Sequence, residues 1–344
     1  MENNTEIKHA LLGGKQLILA TKSFAKEDRN RSWYYLITTL LLLVLSIVTT
    51  VYTPYLFLKL ILGIFTGLLM MRAFIIYHDF QHHSILKKSK IAKVLMTFFG
   101  LYILAPASIW KRSHDYHHNN NSKLFSASIG SYPIATVNKF RNMSRKEKLS
   151  YLTIRHPVFM FFGYITIFIL GMCIGSFAST PRKHWDSLVA VFLHVVFSFL
   201  VVFFLGWSSY LAIIIIPFWI TGSLGAYLFY AQHNFPSVEF NNNQDWTYEK
   251  AALHSSSYMK LGPLMNWFSG NIGYHHIHHL NSRIPFYRLP EAFRGIKELQ
   301  SAKETNLKLR SIIGCLRLKI WDPQLKKMIS LKEFKRMHLA PVAS

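Results

Sequence analysis

A chain of 344 residues that is 51% hydrophobic and 15% aromatic, with a mean hydropathy of +0.20, carries a formal charge of +23. This does not read as one water-soluble domain, because oily and cationic runs on that scale need different solvents. The two cysteines, Cys173 and Cys315, form no CxxC pair, which excludes a disulfide framework and a thiolate metal site. Cys173 lies inside an apolar run and reads as a small core residue.

In chain order, residues 1–33 form a polar N-terminal segment expected in the cytoplasm. Glu2, Glu6, Glu27 and Asp28 break the basic-then-apolar layout of a signal peptide, so no cleaved leader is expected. Residues 34–77 are long enough for two helices of about 22 residues around a turn at Thr53, Pro54 and Tyr55. This is the first transmembrane hairpin, in which Lys59 is read as the one stray cation, free to snorkel outward. Residues 78–186 are expected to be cytoplasmic or interfacial: 91–110 lie on the membrane surface, and the apolar run 157–180 is re-entrant or in-plane, because a further full crossing would separate the histidine clusters described below. Residues 187–231 repeat the hairpin arithmetic with a turn at Gly206, Trp207 and Ser208, and 232–344 return to the cytoplasm.

The cations support this topology. Of 39 Lys and Arg, six precede Trp33, thirteen fall between Asp79 and Arg155, and sixteen follow Ser237. The positive-inside rule assigns those three segments to the cytoplasmic side. The expected fold is therefore an all-α integral membrane protein built as one domain over 1–344, with four transmembrane helices in two hairpins, re-entrant or interfacial helices, and a cytoplasmic histidine-rich helical cap.

Histidines carry the chemistry. His78 and His82 in HDFQHH are spaced i, i+4; His114, His117 and His118 in HDYHH are spaced i, i+3, i+4; His275, His278 and His279 in HHIHH repeat that pattern, and His233 stands in AQHNF. On helices each group lines one face. Nine neutral imidazoles on one membrane face suit metal binding. They are too many for one metal, whereas two first-row metals such as iron fit the number. Asp79 and Asp115 are placed to take a ring N–H from a neighbouring histidine and fix its tautomer, while Asn119, Asn234 and Asn271 are candidates for orienting a bound water. His83 and His276 point about 100° away from their neighbours and are weaker ligand candidates. His194, in mid-span, reads as hydrogen-bonded packing. His9, His156, His184, His254 and His338 have no partner at ligand spacing and receive no chemistry.

HDFQH, HDYHH and HHIHH, in this order among apolar spans, resemble the three histidine boxes of the membrane fatty-acid desaturase family, and the run GNIGYHHIHHLNSRIPFYRLPEAF resembles its bacterial acyl-lipid branch. The likeness runs from about Ser32 to the end of the chain. It implies a non-haem centre of two iron ions that uses O2 and two external electrons to place a cis double bond in an acyl chain. By this match the metal ligands are His78, His82, His114, His117, His118, His233, His275, His278 and His279. Asp79, Asp115 and Asn271 stand behind them, and no catalytic side chain is separate from the ligands. Gln81 departs from the pattern where a small residue is common, which bears on local packing and the head group accepted.

The chemistry asks for the same kind of centre. An unactivated methylene has neither an acidic proton nor a leaving group, so side chains alone cannot attack it. No flavin fingerprint, haem-binding domain or cysteine-ligated cluster is visible in the chain, so electrons are expected from a partner, a ferredoxin or flavodoxin. Such acidic carriers suit the basic surface around Lys87, Lys88, Lys90, Lys93, Lys111 and Arg112, although anionic lipid head groups suit it better. Trp110, Tyr116, Trp246, Trp267 and Phe268 are candidates for a substrate tunnel or the interface, with ordinary packing the commoner role. The partners are thus membrane acyl chains, O2 and an electron donor, without nucleic acid, and the expected location is a bacterial inner membrane with the site on its cytoplasmic side. Rival readings are a hydroxylase or ketolase of the same superfamily and, further off, a membrane metal transporter or sensor. A metalloprotease is excluded by the absence of HExxH.

Overall fold

The computed structural model describes residues 12–124, 132–241 and 244–338. Glu2, Glu6 and His9 lie outside the described residues, as does the side chain of His338. The architecture is mostly helical. Helix α1 (Arg29–Tyr52) starts where the Asp28 carboxylate accepts the Arg31 backbone N–H at 3.1 Å, an N-cap that satisfies one of the orphan donors of a helix start. After Pro54 the chain enters α2 (Leu56–Gln81). The two run antiparallel: Ser46 Oγ meets Thr66 Oγ1 at 2.7 Å, and Thr39 Oγ1 accepts from Arg72 Nε at 3.1 Å.

Helix α3 (Lys90–Tyr102), capped by Ser89, turns by 91° into α4 (Ala107–Asn120). Pro106 sits at the break, where a proline both ends one helix and starts the next. The apolar run Tyr164–Ser179 is helical, with π-type winding over Tyr164–Gly175.

Helices α5 (Trp185–Tyr210) and α6 (Ile216–Ala231) are joined without a loop. At Gly206 (φ 77°, ψ 172°) the backbone leaves the helical region, in a conformation that residues with a Cβ rarely adopt. The chain doubles back there: the rings of His194 and Phe218, twelve residues to either side of Gly206, are 4.7 Å apart. Helix α6 then lies parallel to α2, at Gly63 and Gly67, a G-x-x-x-G pair that lets backbones approach. A Cβ on Gly67 would fall 2.9 Å from both Ile220 Cβ and the Pro217 carbonyl oxygen, and Thr221 Oγ1 donates to the Gly67 carbonyl at 2.8 Å.

Three helical stretches, Arg29–Tyr52, Leu56–Gln81 and Trp185–Ala231, are long and apolar enough to cross a membrane. Their outer faces expose Leu41, Val44, Leu45, Phe192, Phe199 and Phe203, a continuous oily surface of the kind that marks contact with lipid. Two details differ from expectation. Lys59 does not reach outward; it is 8% exposed, and its Nζ donates to Ser209 Oγ at 2.9 Å. Lys59 is not the one cation either: Arg72 is 3% exposed within α2, its guanidinium lying over Trp267 at 4.2 Å and donating to the Trp267 carbonyl.

The expectation of an all-α fold is corrected outside the long apolar helices. Strands β1 (Ala135–Thr136), β2 (Tyr258–Lys260), β3 (Glu304–Asn306), β4 (Leu318–Asp322) and β5 (Lys327–Ser330) make two small sheets, ordered β1-β4-β5 and β2-β3. Ile320 and Ile329 face each other across the antiparallel β4–β5 pair and pack with Phe140, Tyr151 and Phe334 in a separate small core. Strands this short carry too little alternation to stand out beside the helical runs.

Candidate metal centre

Each histidine pattern falls at the end or flank of an apolar element. His78 sits in the last turn of α2 and His82 caps it. His114, His117 and His118 lie on α4, His233 follows α6 by one residue past its cap, and His275, His278 and His279 lie on α7 (His275–Leu280). All nine are buried, from 1% exposed for His78 to 9% for His82.

Their ring nitrogens converge in two groups. The first comprises His78, His82, His114, His118 and His278, the second His117, His233, His275 and His279, with candidate ligand atoms within 4.8 Å of one another in each. The division follows helical geometry. Residues four apart share a stripe, and the one at i+3 stands about 100° from its i+4 neighbour. On α4 the pair His114 and His118 therefore enters the first group while His117 turns to the second. On α7 the pair His275 and His279 enters the second while His278 turns to the first.

The contacts are between like atoms. Nε2 of His78 lies 2.8 Å from that of His114, His118 Nε2 lies 3.1 Å from His114 and 3.0 Å from His278. In the second group His279 Nε2 is 3.1 Å from His117, 3.2 Å from His233 and 3.1 Å from His275, while His233 Nε2 is 3.1 Å from His117 and 2.9 Å from His275. Hydrogen bonds alone cannot account for this. A neutral imidazole nitrogen is either a donor or an acceptor, so in the triangle of His117, His233 and His279 two nitrogens must be alike and face each other unfavourably. Protonating the rings would make every contact repulsive. Burial, together with the neighbouring rings, pushes His82, His114, His117, His118, His275, His278 and His279 well below the ordinary histidine range, and burial lowers His233 to about 4. The rings are neutral, and His82 Nε2 is buried with no hydrogen-bond partner. Converging lone pairs of this kind fit a cation in each group.

Two tautomers are fixed from behind. The Asp79 carboxylate, itself 1% exposed, accepts the His78 Nδ1–H at 3.1 Å and the Phe286 backbone N–H at 2.6 Å. The Ser255 carbonyl accepts from His233 Nδ1 at 3.0 Å. Each arrangement leaves the Nε2 lone pair free to face its group.

The family model described as "Fatty acid desaturase" matches residues 50–311. A "Fatty acid desaturase" of Bacillus subtilis is 31% identical over 331 residues, covering 94% of this chain and 92% of its own length. The chain belongs to the fatty acid desaturase family. It is similar as well to an "sn-1 oleoyl-lipid 12-desaturase" of Synechocystis sp., 23% identical over 80% of this chain and 79% of that one. An "sn-1 acyl-lipid omega-3 desaturase (ferredoxin)" of Nostoc sp. is 23% identical over 86% and 82% of the two chains.

In this desaturase family member Asp115 falls elsewhere than the sequence placed it, whereas His83, His276 and His194 fall as their spacing suggested. Asp115 takes no ring N–H: its side chain is 44% exposed and pairs with Lys111 at 2.7 Å. Asn271 adopts φ 57° and donates to the Phe286 carbonyl at 3.1 Å, holding the turn ahead of α7. Asn234 donates to the Cys315 carbonyl at 2.8 Å and accepts from Arg155, and Asn119 is exposed on α4. His83 is exposed with φ 58°, and His276 turns away from both groups to the Leu299 carbonyl, 3.0 Å from Nε2. His194 meets the Tyr164 hydroxyl at 2.5 Å in the packed interior. Trp110 stacks on His114 at 4.9 Å and is fully buried; Phe74 and Phe229 pack against it at 4.9 and 5.6 Å, making an oily wall between the first group and the spanning helices. Ser255 and the fully buried Arg155, which donates to the Pro133 carbonyl and the Tyr230 hydroxyl, were missed by sequence reasoning. A lone serine or arginine carries no periodic signal.

Proposed function

We propose that the chain is an acyl-lipid desaturase that introduces a cis double bond into a membrane acyl chain, with two iron ions held by the two histidine groups. The observation that carries the reading is the convergence of nine buried histidine rings into two adjoining groups. Imidazole suits iron among the first-row metals, and membership of the desaturase family favours iron at these two groups. When bound, the iron pair supplies the oxidising power, with O2 and two external electrons, that removing hydrogen from an unactivated methylene requires.

The chain's own part is positional. His78, His82, His114, His118 and His278 would hold one ion and His117, His233, His275 and His279 the other. Asp79 and Ser255 keep His78 and His233 in the ligating tautomer, and Trp110 with Phe74 and Phe229 excludes water from the side facing the bilayer. In the arrangement we favour, α1, α2, α5 and α6 cross the membrane as two hairpins, 157–180 stays re-entrant or in-plane, and the centre is cytoplasmic. The Lys59–Ser209 hydrogen bond supports it by tying the start of α2 to the bend after Gly206, so both turns lie at one end and the histidines at the other. The basic segments flanking the histidines then face the cytoplasm of a bacterial cell. A ferredoxin is the favoured electron donor, in keeping with the donor printed in the names of the Nostoc and Synechocystis omega-3 relatives.

The test is a lipid profile of a desaturase-free bacterial host expressing the chain, with His114→Ala beside it. New monounsaturated chains with the parent and none with the variant are expected. A product heavier by one oxygen, in place of one lighter by two hydrogens, would turn the reading to hydroxylation.

A further inference from the structure

Away from the two histidine groups, a groove of about 470 Å³ lies between the outer face of α4 and the apolar run Tyr164–Ser179, lined by Ile109, Arg112 and Tyr116 on one side and Gly171, Gly175 and Ser179 on the other. That volume is typical of a site for a small amphiphile. Its floor is open because Gly171 and Gly175 carry no side chains; a Cβ there would meet only carbonyl oxygens of its own helix, at 3.3 and 3.1 Å. One wall belongs to the helix that bears His114, His117 and His118.

The polar end is built rather than incidental. Asp186, at the start of α5, reaches the first turn of α4: its Oδ2 accepts the Ser108 backbone N–H at 3.3 Å and its Oδ1 the Ser108 hydroxyl proton at 2.5 Å. With its only proton given to Asp186, Ser108 Oγ must accept from His184 Nδ1 at 2.9 Å. That fixes the tautomer of His184, leaving a lone pair on Nε2, which accepts from Arg112 Nη1 at 3.4 Å. Burial and the neighbouring Arg112 charge both push His184 below its ordinary pKa, in keeping with a neutral acceptor. The chain Asp186–Ser108–His184–Arg112 therefore holds a guanidinium at the groove mouth by one neutral contact. No carboxylate lies in salt-bridge range of Arg112 among the described residues. Arg182 and Lys183, both exposed, follow in the same loop.

We propose that this groove binds a phospholipid head, Arg112 pairing with the phosphodiester and the glycine-floored wall receiving the start of an acyl chain. A planar guanidinium offers paired donors to phosphate oxygens, and the wall at Gly171 and Gly175, free of side chains, leaves room for the rest of the amphiphile. The inference rests on the acyl-lipid reading above and gives the head group its place.

The experiment places the iron-loaded full chain in nanodiscs with traces of phosphatidylglycerol carrying a photoactivatable diazirine near the glycerol, or of the matching diacylglycerol, and maps cross-links by peptide mass spectrometry. Phosphatidylglycerol is expected to label 109–116 and 171–180 about tenfold more than diacylglycerol does, the factor that about 1.4 kcal/mol of charge-assisted pairing gives. Arg112→Glu removes the preference, Arg112→Lys restores part of it, and Ser179→Trp, which fills the groove without touching the arginine, lowers labelling by both probes. Equal labelling by the two lipids, or labels spread evenly around the apolar belt as for boundary lipid, overturns the proposal. The activity reading fails separately: groove labelling without any new double bond in the loaded parent, supplied with O2 and reduced ferredoxin, refutes the desaturase function and leaves the groove standing.

Discussion

Asp79→Asn replaces a carboxylate that only accepts with an amide that must also donate, at a position 1% exposed. Its two present partners, His78 Nδ1–H and the Phe286 N–H, both need an acceptor. The amide oxygen can keep one of them, and the amide NH2 then confronts the other. If it keeps Phe286, His78 relieves the clash by moving its proton from Nδ1 to Nε2, the atom that faces His114 at 2.8 Å. A protonated Nε2 has no lone pair to offer, so the cost falls on metal binding: about 10–100-fold in affinity, the usual scale for a lost partner behind a ligating histidine. Folding changes less, since one neutral hydrogen bond is worth about 0.5–1.5 kcal/mol. Asp79→Ala differs in kind: it strands the Phe286 N–H and costs about 1–3 kcal/mol of stability besides. Iron per chain after dialysis against a graded chelator series, read by mass spectrometry beside thermal unfolding in detergent, separates the two. An Asp79→Asn chain that holds iron as tightly as the parent refutes the tautomer argument.

The two adjacent histidines of α7 should part company. His275→Ala should remove iron from the second group and end product formation, whereas His276→Ala, which loses the bond to Leu299 and the packing on Tyr258 and Phe293, should keep its iron and lower the unfolding midpoint. Gly206→Ala has nothing within 4 Å to clash with, so its cost is backbone strain of about 1–3 kcal/mol; unfolding should shift by that amount while the iron content of the folded fraction stays at parent level. Acid should weaken the metal-free chain. His233 and His276 sit at about 4 in the folded state against about 6.5 unfolded, so the unfolded chain binds the extra protons. Stability should be full above about pH 6.5 and fall between there and about pH 4, with about 1.4 kcal/mol per pH unit for each proton. Unfolding of the apo chain across that range that does not depend on pH would contradict the buried neutral rings.

Much of the centre was legible because histidine spacing on a helix is a geometric statement. HxxHH says which rings share a stripe, and the nine rings named from spacing and resemblance are the nine that converge. The division of the second and third boxes between two groups was not legible, since it depends on what lies opposite each stripe. The turns at 53–55 and Gly206 were readable from breaker residues in apolar runs. Arg72 escaped notice because a single cation in a span looks like noise until Thr39, Trp267 and Phe286 are seen around it. Asp115 was misplaced for the opposite reason: adjacency in sequence was taken for adjacency in space, and one step along a helix turns a side chain away. Long-range partners such as the Ser255 carbonyl and the Asp186 cap belong to tertiary packing.

Because α4 and α7 each supply ligands to both groups, neither half of the polypeptide contains a complete binding site. The first group waits for His278 and the second for His275 and His279, residues that leave the ribosome after every spanning helix. Under the proposed function, loading then follows synthesis of α7, and a nascent or truncated product ending before it would lack the full set of rings in either group.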